Sequence, residues 1–390
     1  MAIEARSGGR SGGRVRYGMV GGGEGAFIGA VHRLAARMDD EYEFVAGALS
    51  STPEKAIRSG QALGLDPARI YPDFETMAQK ERRRKDGIEA VSIVTPNHMH
   101  APAAEAFIRA GIHVICDKPV TTTLKDALRL KKLAEARGVI FAVTHNYTGY
   151  PLVRHAREMV RAGDLGEIRL VQVEYPQDWL STDIEQSGQK QAGWRTDPSQ
   201  SGAGGSIGDI GTHAFNLSQF VAGLEVSQIL AELTTFVPGR RLDDNVQILL
   251  RYANGARGAL WASQVAPGNE NGLMLRVYGT KAGIHWRQDN PNLLYFTPLG
   301  EATRIVTRGS PAVGPAGARV TRVPAGHPEG YLEGFATLYT EIARAIRAAR
   351  SGEKPDGAVT FPDIDDGIAG MAFIEAAVKS SKKGGAWVGL

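Results

Sequence analysis

The sequence lacks the cysteine pairs needed for disulfide bonds and the long apolar runs needed for a transmembrane helix. Its 390 residues include one cysteine, Cys116, so no internal disulfide can form. Low cysteine usage is typical of reducing compartments, and we expect a cytoplasmic location. No stretch of 18 apolar residues occurs, which excludes the pattern of a transmembrane helix. The first residues carry arginines and glycines without the apolar core of a secretory signal, so we expect a disordered tail over residues 1–13.

A strong excess of charge is also missing, since the formal net charge is only +3. The basic run at residues 82–85 is typical of a solvated helix face. The sequence therefore predicts neither a nucleic-acid partner nor a membrane partner. Glycine, in contrast, is abundant, with 48 residues and no Gly-X-Y period. We expect these glycines to mark particular sites.

Apolar strand patterns alternate with helical patterns between residues 14 and 145. The predicted strands cover 14–20, 43–50, 90–95, 113–116 and 139–144. Helices are predicted up to residue 38, from residue 53, and over 101–110 and 124–138. This alternation predicts an α/β domain with a doubly wound parallel sheet that is covered on both faces.

The pattern changes after residue 145, and we assign residues 146–390 to a second domain. Its predicted strands cover 167–175, 229–237, 245–252, 257–265 and 273–278. The turn Ala253-Asn254-Gly255 indicates a hairpin, which favours an antiparallel sheet. Helices are predicted over 152–163, 331–350 and 362–383, and residues 303–330 are predicted to be loop.

A glycine turn directly follows the first predicted strand and precedes a helix. Glycine lets backbone N–H groups approach a pyrophosphate, which then lies at the positive end of that helix. We therefore predict dinucleotide binding at Gly21, Gly23, Ala26, Phe27 and Ile28. The alternative is a tight turn that binds nothing.

The end of the second predicted strand should distinguish NAD from NADP. An acidic side chain at this place hydrogen-bonds the ribose 2′-hydroxyl in NAD enzymes. The sequence instead has Ser50 and Ser51, with Lys55 nearby, and these groups can accept a 2′-phosphate. Both NAD and NADP therefore stay open, as does the alternative that Ser51 or Thr52 only caps the next helix.

Two further segments end neighbouring predicted strands and should face the same crevice, because ligands lie beyond the carboxyl ends of parallel strands. The predicted cofactor-binding residues there are Thr95, Pro96, Asn97, His100, Asp117 and Lys118. His98 and His100 could suggest a metal, but no further ligand has regular spacing nearby. We predict no metal site.

A second glycine cluster, residues 201–211, leads into a predicted helix. On that helix Asp209, His213 and Asn216 share one face. An Asp beside a His can orient a proton acceptor whose ordinary pKa is close to working pH. The alternative is an Asp that stabilises the helix N-terminus and a buried structural His.

Four segments in this order resemble the Gfo/Idh/MocA oxidoreductases, the family of glucose-fructose oxidoreductase and inositol 2-dehydrogenase. They are the glycine turn with Gly29-x-x-His32, Thr95-Pro96-Asn97-x-x-His100, Asp117-Lys118-Pro119 and Gly205-x-x-x-Asp209-x-Gly211-x-His213. The resemblance extends from Arg14 to Leu390. It implies an N-terminal Rossmann domain and a C-terminal α/β domain with a large open, mainly antiparallel sheet. Such sheets are often used for oligomer contacts, so we expect a homodimer or homotetramer.

The resemblance also implies roles for particular residues. Lys118 is similar to the family's active-site lysine, and Asp209 and His213 are similar to its Asp and His pair. The implied reaction oxidises or reduces a secondary alcohol of a sugar or a cyclitol such as an inositol. Hydride goes to nicotinamide and His213 acts as general base. The predicted substrate contacts are Tyr147, Trp179, Trp194, Arg195 and Asn216.

Three positions depart from the family's usual pattern. Asp117 stands where Glu is common, and Asn216 replaces a frequent Asp, which changes the expected substrate contacts. The role of the third glycine falls to Ala26 or Gly29. Two other functions fit the same resemblance: an NAD-dependent glycosidase that oxidises its substrate transiently, and a non-catalytic dinucleotide-binding regulator.

Overall fold

The computed structural model describes residues 13–390, so all but the last residue of the predicted tail lies outside the described part. The chain forms two compact units. The first extends to Gly149 and includes Tyr331–Ile368, and the second comprises Tyr150–Gly330 and Ala369–Leu390. The division expected from the sequence instead places everything after residue 145 in one domain. Within residues 13–390, no helix combines the length and apolar character needed to cross a membrane.

The structure contains strands that match most of the predicted ones within a few residues. The strands are β1 Val15–Gly21, β2 Tyr42–Ala48, β3 Ala90–Val94, β4 His113–Cys116, β5 Phe141–Val143, β6 Ile168–Pro176, β7 Val226–Thr234, β8 Asn245–Tyr252, β9 Arg257–Ser263, β10 Met274–Gly279, β11 Ala282–Arg287, β12 Leu293–Pro298, β13 Arg304–Thr307 and β14 Val388–Gly389.

The helices likewise follow the predicted pattern, with several short additions. They are α1 Phe27–Met38, α2 Pro53–Ala62, α3 Phe74–Arg83, α4 His100–Ala110, α5 Leu124–Arg137, α6 Pro151–Ala162, α7 Lys190–Arg195, α8 Pro198–Ser201, α9 Thr212–Ala222, α10 Pro315–Ala318, α11 Tyr331–Arg350 and α12 Ile364–Lys382.

The first unit contains a parallel five-stranded sheet with the order β2-β1-β3-β4-β5. Every residue of β3 is buried, as expected for a strand with both faces covered. The strand order reverses between β1 and β3, and such a reversal opens a crevice at the carboxyl ends of the strands. The predicted doubly wound fold is therefore confirmed.

Helix α11 belongs to the core of the first unit despite its late position in the sequence. Tyr339 and Ile342 pack in the same buried cluster as Val15 and Tyr17 of β1. The Tyr339 hydroxyl also lies 2.8 Å from His32 Nδ1 and 2.7 Å from Ser92 Oγ. These long-range contacts explain why the structural division differs from the one expected from sequence order.

The second unit contains a nine-stranded sheet with the order β13-β12-β11-β10-β6-β9-β8-β7-β14. Its pairs are antiparallel except for β6 and β9. The mainly antiparallel sheet is confirmed, although the sequence analysis did not predict the four strands β11 to β14. Residues 303–330, predicted to be loop, contain β13 and the short helix α10. Strands of two to six residues give too few alternations for their period to be recognised.

Candidate active site

The glycine turn after β1 depends on backbone conformations and approaches that only glycine allows. Gly21 and Gly22 have φ values of +79° and +71°. A Cβ on Gly29 of α1 would lie 2.3 Å from Gly22 Cα, so helix and turn touch backbone to backbone. Ala26 is the N-cap of α1 with an extended φ of −101°. Helix α1 therefore packs closely on the turn at Gly29.

The start of α1 suits a pyrophosphate. Gly25 has a φ of +76°, and a Cβ there would meet nothing within 4 Å, so the outer side of the turn is open. No described side chain caps α1, which leaves the positive end of the helix to a ligand. Phe27 is 68% exposed and Ile28 is partly buried against the core. These features fit a dinucleotide at the predicted turn.

Two supports of the turn escaped the sequence analysis. Arg33 Nη1 donates a 2.7 Å hydrogen bond to the carbonyl of Gly22. Ser59 Oγ of α2 accepts a 3.0 Å hydrogen bond from the backbone N–H of Glu24. Neither residue belongs to a glycine pattern, and only the fold brings them to the turn.

The segment after β2 is partly turn and partly solvent-facing. Ser50 Oγ accepts a 3.1 Å hydrogen bond from the N–H of Thr52, which is the N-cap residue of α2. Ser51 is exposed and Lys55 is partly buried. Arg58, which the sequence analysis did not consider, lies 3.8 Å from Glu24 of the glycine turn. Cationic groups therefore stand beside the predicted ribose position.

The loops after β3 and β4 are joined by a buried histidine. His100 is fully buried, with Nδ1 2.8 Å from the carbonyl of Pro119 and Nε2 2.9 Å from the carbonyl of Thr95. Burial lowers the pKa of His100. Its place between the two loops indicates that it orders them. Pro96 and Asn97 lead into the turn beside it, and Asn97 is buried.

Asp117 and Lys118 follow β4 in the same part of the first unit. Asp117 Oδ1 accepts hydrogen bonds from Thr144 Oγ1 at 2.8 Å and from the Lys118 N–H at 3.2 Å. Burial, reinforced by the charge of Lys118, lowers the pKa of the neighbouring His145 to about 3. The positive charge of Lys118 thus disfavours protonation of His145. Tyr147, predicted as a substrate contact, is 4% exposed.

In the second unit, the helix that carries Asp209 and His213 begins with a π-type segment, Ile207–Gly211, and continues as α9. Such wide turns are frequent at functional sites. Asp243 anchors this helix start: its carboxylate accepts from the Gly205 N–H at 2.7 Å, the Ser206 hydroxyl at 2.8 Å and the Ile207 N–H at 2.9 Å. A Cβ on Gly205 would lie 2.0 Å from the Asp243 carbonyl oxygen. Sequence reasoning missed Asp243.

Asp209 is held by two donors. Its Oδ2 accepts from Arg195 Nε at 3.2 Å and from Gln264 Nε2 at 2.9 Å. His213 is 8% exposed and its ring lies 6.3 Å from the ring of Tyr175 on β6. Asn216 is 5% exposed. The fold therefore fixes the acid, and the sequence analysis did not consider Gln264 or Tyr175.

Two of the three predicted aromatic contacts, Trp179 and Trp194, lie near an arginine. The Arg195 guanidinium lies 4.2 Å from the Trp194 ring centroid and 6.0 Å from that of Trp179. Trp179 Nε1 donates to Gln177 Oε1 at 3.1 Å. Trp179, Trp194 and Arg195 thus form one polar and aromatic cluster beside Asp209. Across residues 13–390, no three His, Cys, Asp or Glu side chains converge in a way that could hold a metal ion.

Comparison with known proteins identifies the family. Residues 15–145 match the oxidoreductase family model with the NAD-binding Rossmann fold, and residues 153–285 match the GFO/IDH/MocA C-terminal domain. An uncharacterised oxidoreductase of Bacillus subtilis is 36% identical over 96% of both chains. The chain belongs to the Gfo/Idh/MocA oxidoreductase family. It is an enzyme with an NAD-binding Rossmann domain.

Relatives in this family include a dehydrogenase with a named substrate and an oxidoreductase of known structure. Levoglucosan dehydrogenase of Pseudarthrobacter phenanthrenivorans is 28% identical over 96% of this chain and 97% of its own. A crystal structure of an oxidoreductase from Sinorhizobium meliloti is 57% identical, with a TM-score of 0.88 and coverage of 96% and 99%.

Two crystal structures of inositol dehydrogenase homologues from Azotobacter vinelandii contain nicotinamide cofactors. The NAD⁺ complex is 38% identical, with a TM-score of 0.94 and 98% coverage of both chains. The complex with NADH and myo-inositol is 36% identical, with a TM-score of 0.90 and coverage of 97% and 98%. The sugar and cyclitol dehydrogenases of this Gfo/Idh/MocA group are thus similar to the chain over nearly its full length.

Proposed function

We propose that this oxidoreductase is an NAD(P)-dependent dehydrogenase that oxidises or reduces a secondary alcohol of a sugar or cyclitol. The observation that carries the proposal is the fixed Asp209 carboxylate one helical turn before His213, held by Arg195 and Gln264. A chain that only sensed a dinucleotide would need no such arrangement. The similarity to an inositol dehydrogenase homologue and to levoglucosan dehydrogenase supports the substrate class.

The cofactor fits the glycine turn after β1 and the loops after β3 and β4. When bound, the nicotinamide ring accepts or returns the hydride. Gly21 and Gly23 would shape the turn that holds the pyrophosphate at the start of α1, where backbone N–H groups and the helix dipole favour an anion. The Gly23 N–H itself donates to the Leu49 carbonyl at 3.2 Å. Asp117 fixes the main chain of Lys118 through its N–H and so sets where the lysine side chain begins.

The remaining chemistry belongs to three side chains. His213 takes the proton of the substrate hydroxyl as the carbon is oxidised, since an imidazole has an ordinary pKa near working pH. The Lys118 ammonium supplies a positive charge that can stabilise negative charge developing on a substrate oxygen. Asp209 orients His213 or binds a neighbouring hydroxyl. Asn216 hydrogen-bonds hydroxyls of the substrate. The aromatic rings of Trp179 and Trp194 cover its C–H faces.

The choice between NAD and NADP follows from the segment after β2. Ser51 and Lys55 offer a hydroxyl and an ammonium, and Arg58 adds a guanidinium that Glu24 partly neutralises. No carboxylate follows β2 directly to bind a 2′-hydroxyl or repel a 2′-phosphate. We infer that the enzyme accepts both cofactors.

The test is nicotinamide absorbance with a panel of cyclitols, aldoses and anhydrosugars, with NAD and NADP in parallel. We expect reduced cofactor to accumulate with at least one substrate, and Lys118→Ala and His213→Ala each to lower kcat by roughly 100-fold or more. Near-wild-type turnover in both variants would refute the assignment. Substrate cleavage without accumulation of reduced cofactor would indicate the NAD-dependent glycosidase instead.

We also infer a homo-oligomer through the large sheet of the second unit. Leu170, Leu249, Tyr278 and Ile305 on its strands are between 37% and 56% exposed. Exposed apolar side chains on a sheet indicate an interaction surface. Light scattering coupled to size-exclusion chromatography should give a dimer or tetramer, and Leu249→Glu should reduce the assembled fraction. A monomeric wild-type protein would contradict this inference.

A further inference from the structure

We propose that Arg195 is a positioning residue for Asp209 rather than a substrate-binding residue. The proposal rests on the proposed function, because it concerns how the chain fixes the acid that serves the oxidation. It also reassigns a residue that the sequence analysis placed among the substrate contacts.

The first observation is the convergence of two donors on one carboxylate oxygen. Arg195 Nε lies 3.2 Å and Gln264 Nε2 lies 2.9 Å from Asp209 Oδ2. The donors come from separate elements, since Arg195 ends α7 and Gln264 directly follows β9. The side chains of Arg195 and Asp209 are only 24% and 17% exposed, so solvent screens the pair incompletely. Two donors from different directions fix the rotation of a carboxylate better than either alone.

The second observation is that Arg195 itself is held in place. Its Nη1 donates to the Gln191 carbonyl at 3.3 Å and also to the Gln191 side chain. Its guanidinium lies over the Trp194 ring at 4.2 Å. A planar guanidinium that stacks on an aromatic ring while its fork is hydrogen-bonded has few other rotamers. The Nε–H of Arg195 is therefore directed at Asp209 in advance.

The helix start explains why such support is needed. Asp209 lies in the π-type segment Ile207–Gly211, whose side chains do not follow α-helical spacing. The direction of Asp209 relative to His213 is thus not set by the backbone repeat alone. Arg195 and Gln264 supply the missing constraint from outside the helix.

The experiment is a double-mutant cycle with Arg195→Ala, Asp209→Asn and the double variant. We expect Arg195→Ala to lower kcat by about tenfold or more while KM stays within about twofold, because positioning acts on the reacting complex. In the Asp209→Asn background the same replacement should change kcat less than about threefold, since the residue it positions is already altered. An increase in KM with unchanged kcat would overturn the proposal and restore a substrate contact, as would additive losses in kcat.

Arg241→Ala is the matched control. This arginine is 67% exposed and pairs with Asp197 at 2.8 Å, so its loss should leave kcat and KM unchanged. The urea unfolding midpoint is also measured for the four proteins of the cycle. Arg195→Ala should lower the urea unfolding midpoint less in the Asp209→Asn background than in the wild type. Equal decreases in both backgrounds would overturn the proposed pairing of Arg195 with Asp209 without any assay of turnover. A wild-type protein that reduces no cofactor with any polyol would refute the proposed function, while the urea cycle still decides the proposal for Arg195.

Discussion

In the first unit the residues assigned to the cofactor lie in turns that directly follow β-strands, whereas in the second unit Asp209 and His213 lie on a helix fixed by residues far away in the sequence. Gly21 and Lys118 come at or just after the ends of β1 and β4. The helix of Asp209 depends on Asp243 at its start and on Gln264 at its carboxylate. Local motifs therefore mark the cofactor residues in the sequence, whereas the contacts that fix Asp209 appear only in the fold.

Both units nevertheless use one glycine in the same way. The Gly29 Cα position lies against Gly22, and the Gly205 Cα position lies against the Asp243 backbone, where added Cβ atoms would be 2.3 and 2.0 Å from the neighbouring atoms. Backbone atoms cannot move aside as the end of a flexible side chain can. A methyl group at either place should thus disturb one unit's site and leave the other's intact.

Substitution of these two glycines should have the largest effect on the contrast between the units. Gly29→Ala should weaken NADH binding by about 10- to 100-fold, because overpacking by one methyl group costs about 1–3 kcal/mol and falls on the pyrophosphate turn. Gly205→Ala should instead lower kcat by a similar factor with NADH affinity unchanged, since it displaces the helix of His213. NADH fluorescence titration and steady-state kinetics separate the two effects.

Gly193→Ala is the control for this pair. Gly193 lies in α7, and a Cβ there would meet nothing within 4 Å. We expect neither NADH affinity nor kcat to change. If Gly29→Ala and Gly205→Ala lowered both quantities alike, the two sites would not be independently supported, and the contrast between the units would fail.

The next change, Asp243→Asn, acts on the start of the helix that carries Asp209. Both carboxylate oxygens of Asp243 accept hydrogen bonds, and Oδ2 takes two of them. An amide group would turn an N–H₂ toward at least one of these donors. Leaving a buried donor unpaired costs about 1–3 kcal/mol, so the free energy of unfolding should fall by that amount and kcat should fall with it. Urea unfolding and turnover measure the two changes, and a variant unchanged in both would show that Asp243 does not anchor the helix.

The sequence alone predicted the sheet of the first unit closely, because glycine turns and buried apolar runs are local signals. β4 and β8 have the predicted bounds. It did not predict that α11 packs against β1, since the apolar face of an amphipathic helix does not indicate which element it packs against. Likewise Arg195 is a residue type that suits a substrate contact, and only the fold shows that its guanidinium donates to Asp209. What the sequence could not reveal is pairing between distant residues.

The units also differ in how deeply their histidines are buried and in their tryptophans. His32, His100 and His145 in the first unit are at most 3% exposed, and burial lowers the pKa of all three. All five tryptophans, by contrast, belong to the second unit: Trp179, Trp194, Trp261, Trp286 and Trp387. Tryptophan fluorescence therefore reports unfolding of the second unit, while far-UV circular dichroism reports both.

The smallest expected effect is a difference in acid sensitivity between the two signals, because burial also lowers the pKa of His155 and His285 in the second unit. A buried histidine with a lowered pKa stays neutral in the fold but gains a proton in the unfolded chain below about pH 6.5. The unfolded state then binds more protons, so stability is lost as the pH falls, by up to about 1.4 kcal/mol per pH unit for each such histidine. For His145 this loss continues toward its folded pKa of about 3. Between pH 7.5 and 5.5 the urea midpoint from circular dichroism should fall more than the midpoint from fluorescence. His145→Gln should reduce the difference between the two midpoint changes, whereas the substitution of the exposed His98 by Gln should not. If the midpoint from circular dichroism fell equally with pH in the wild type and both variants, the buried histidines would not set the acid stability of the first unit.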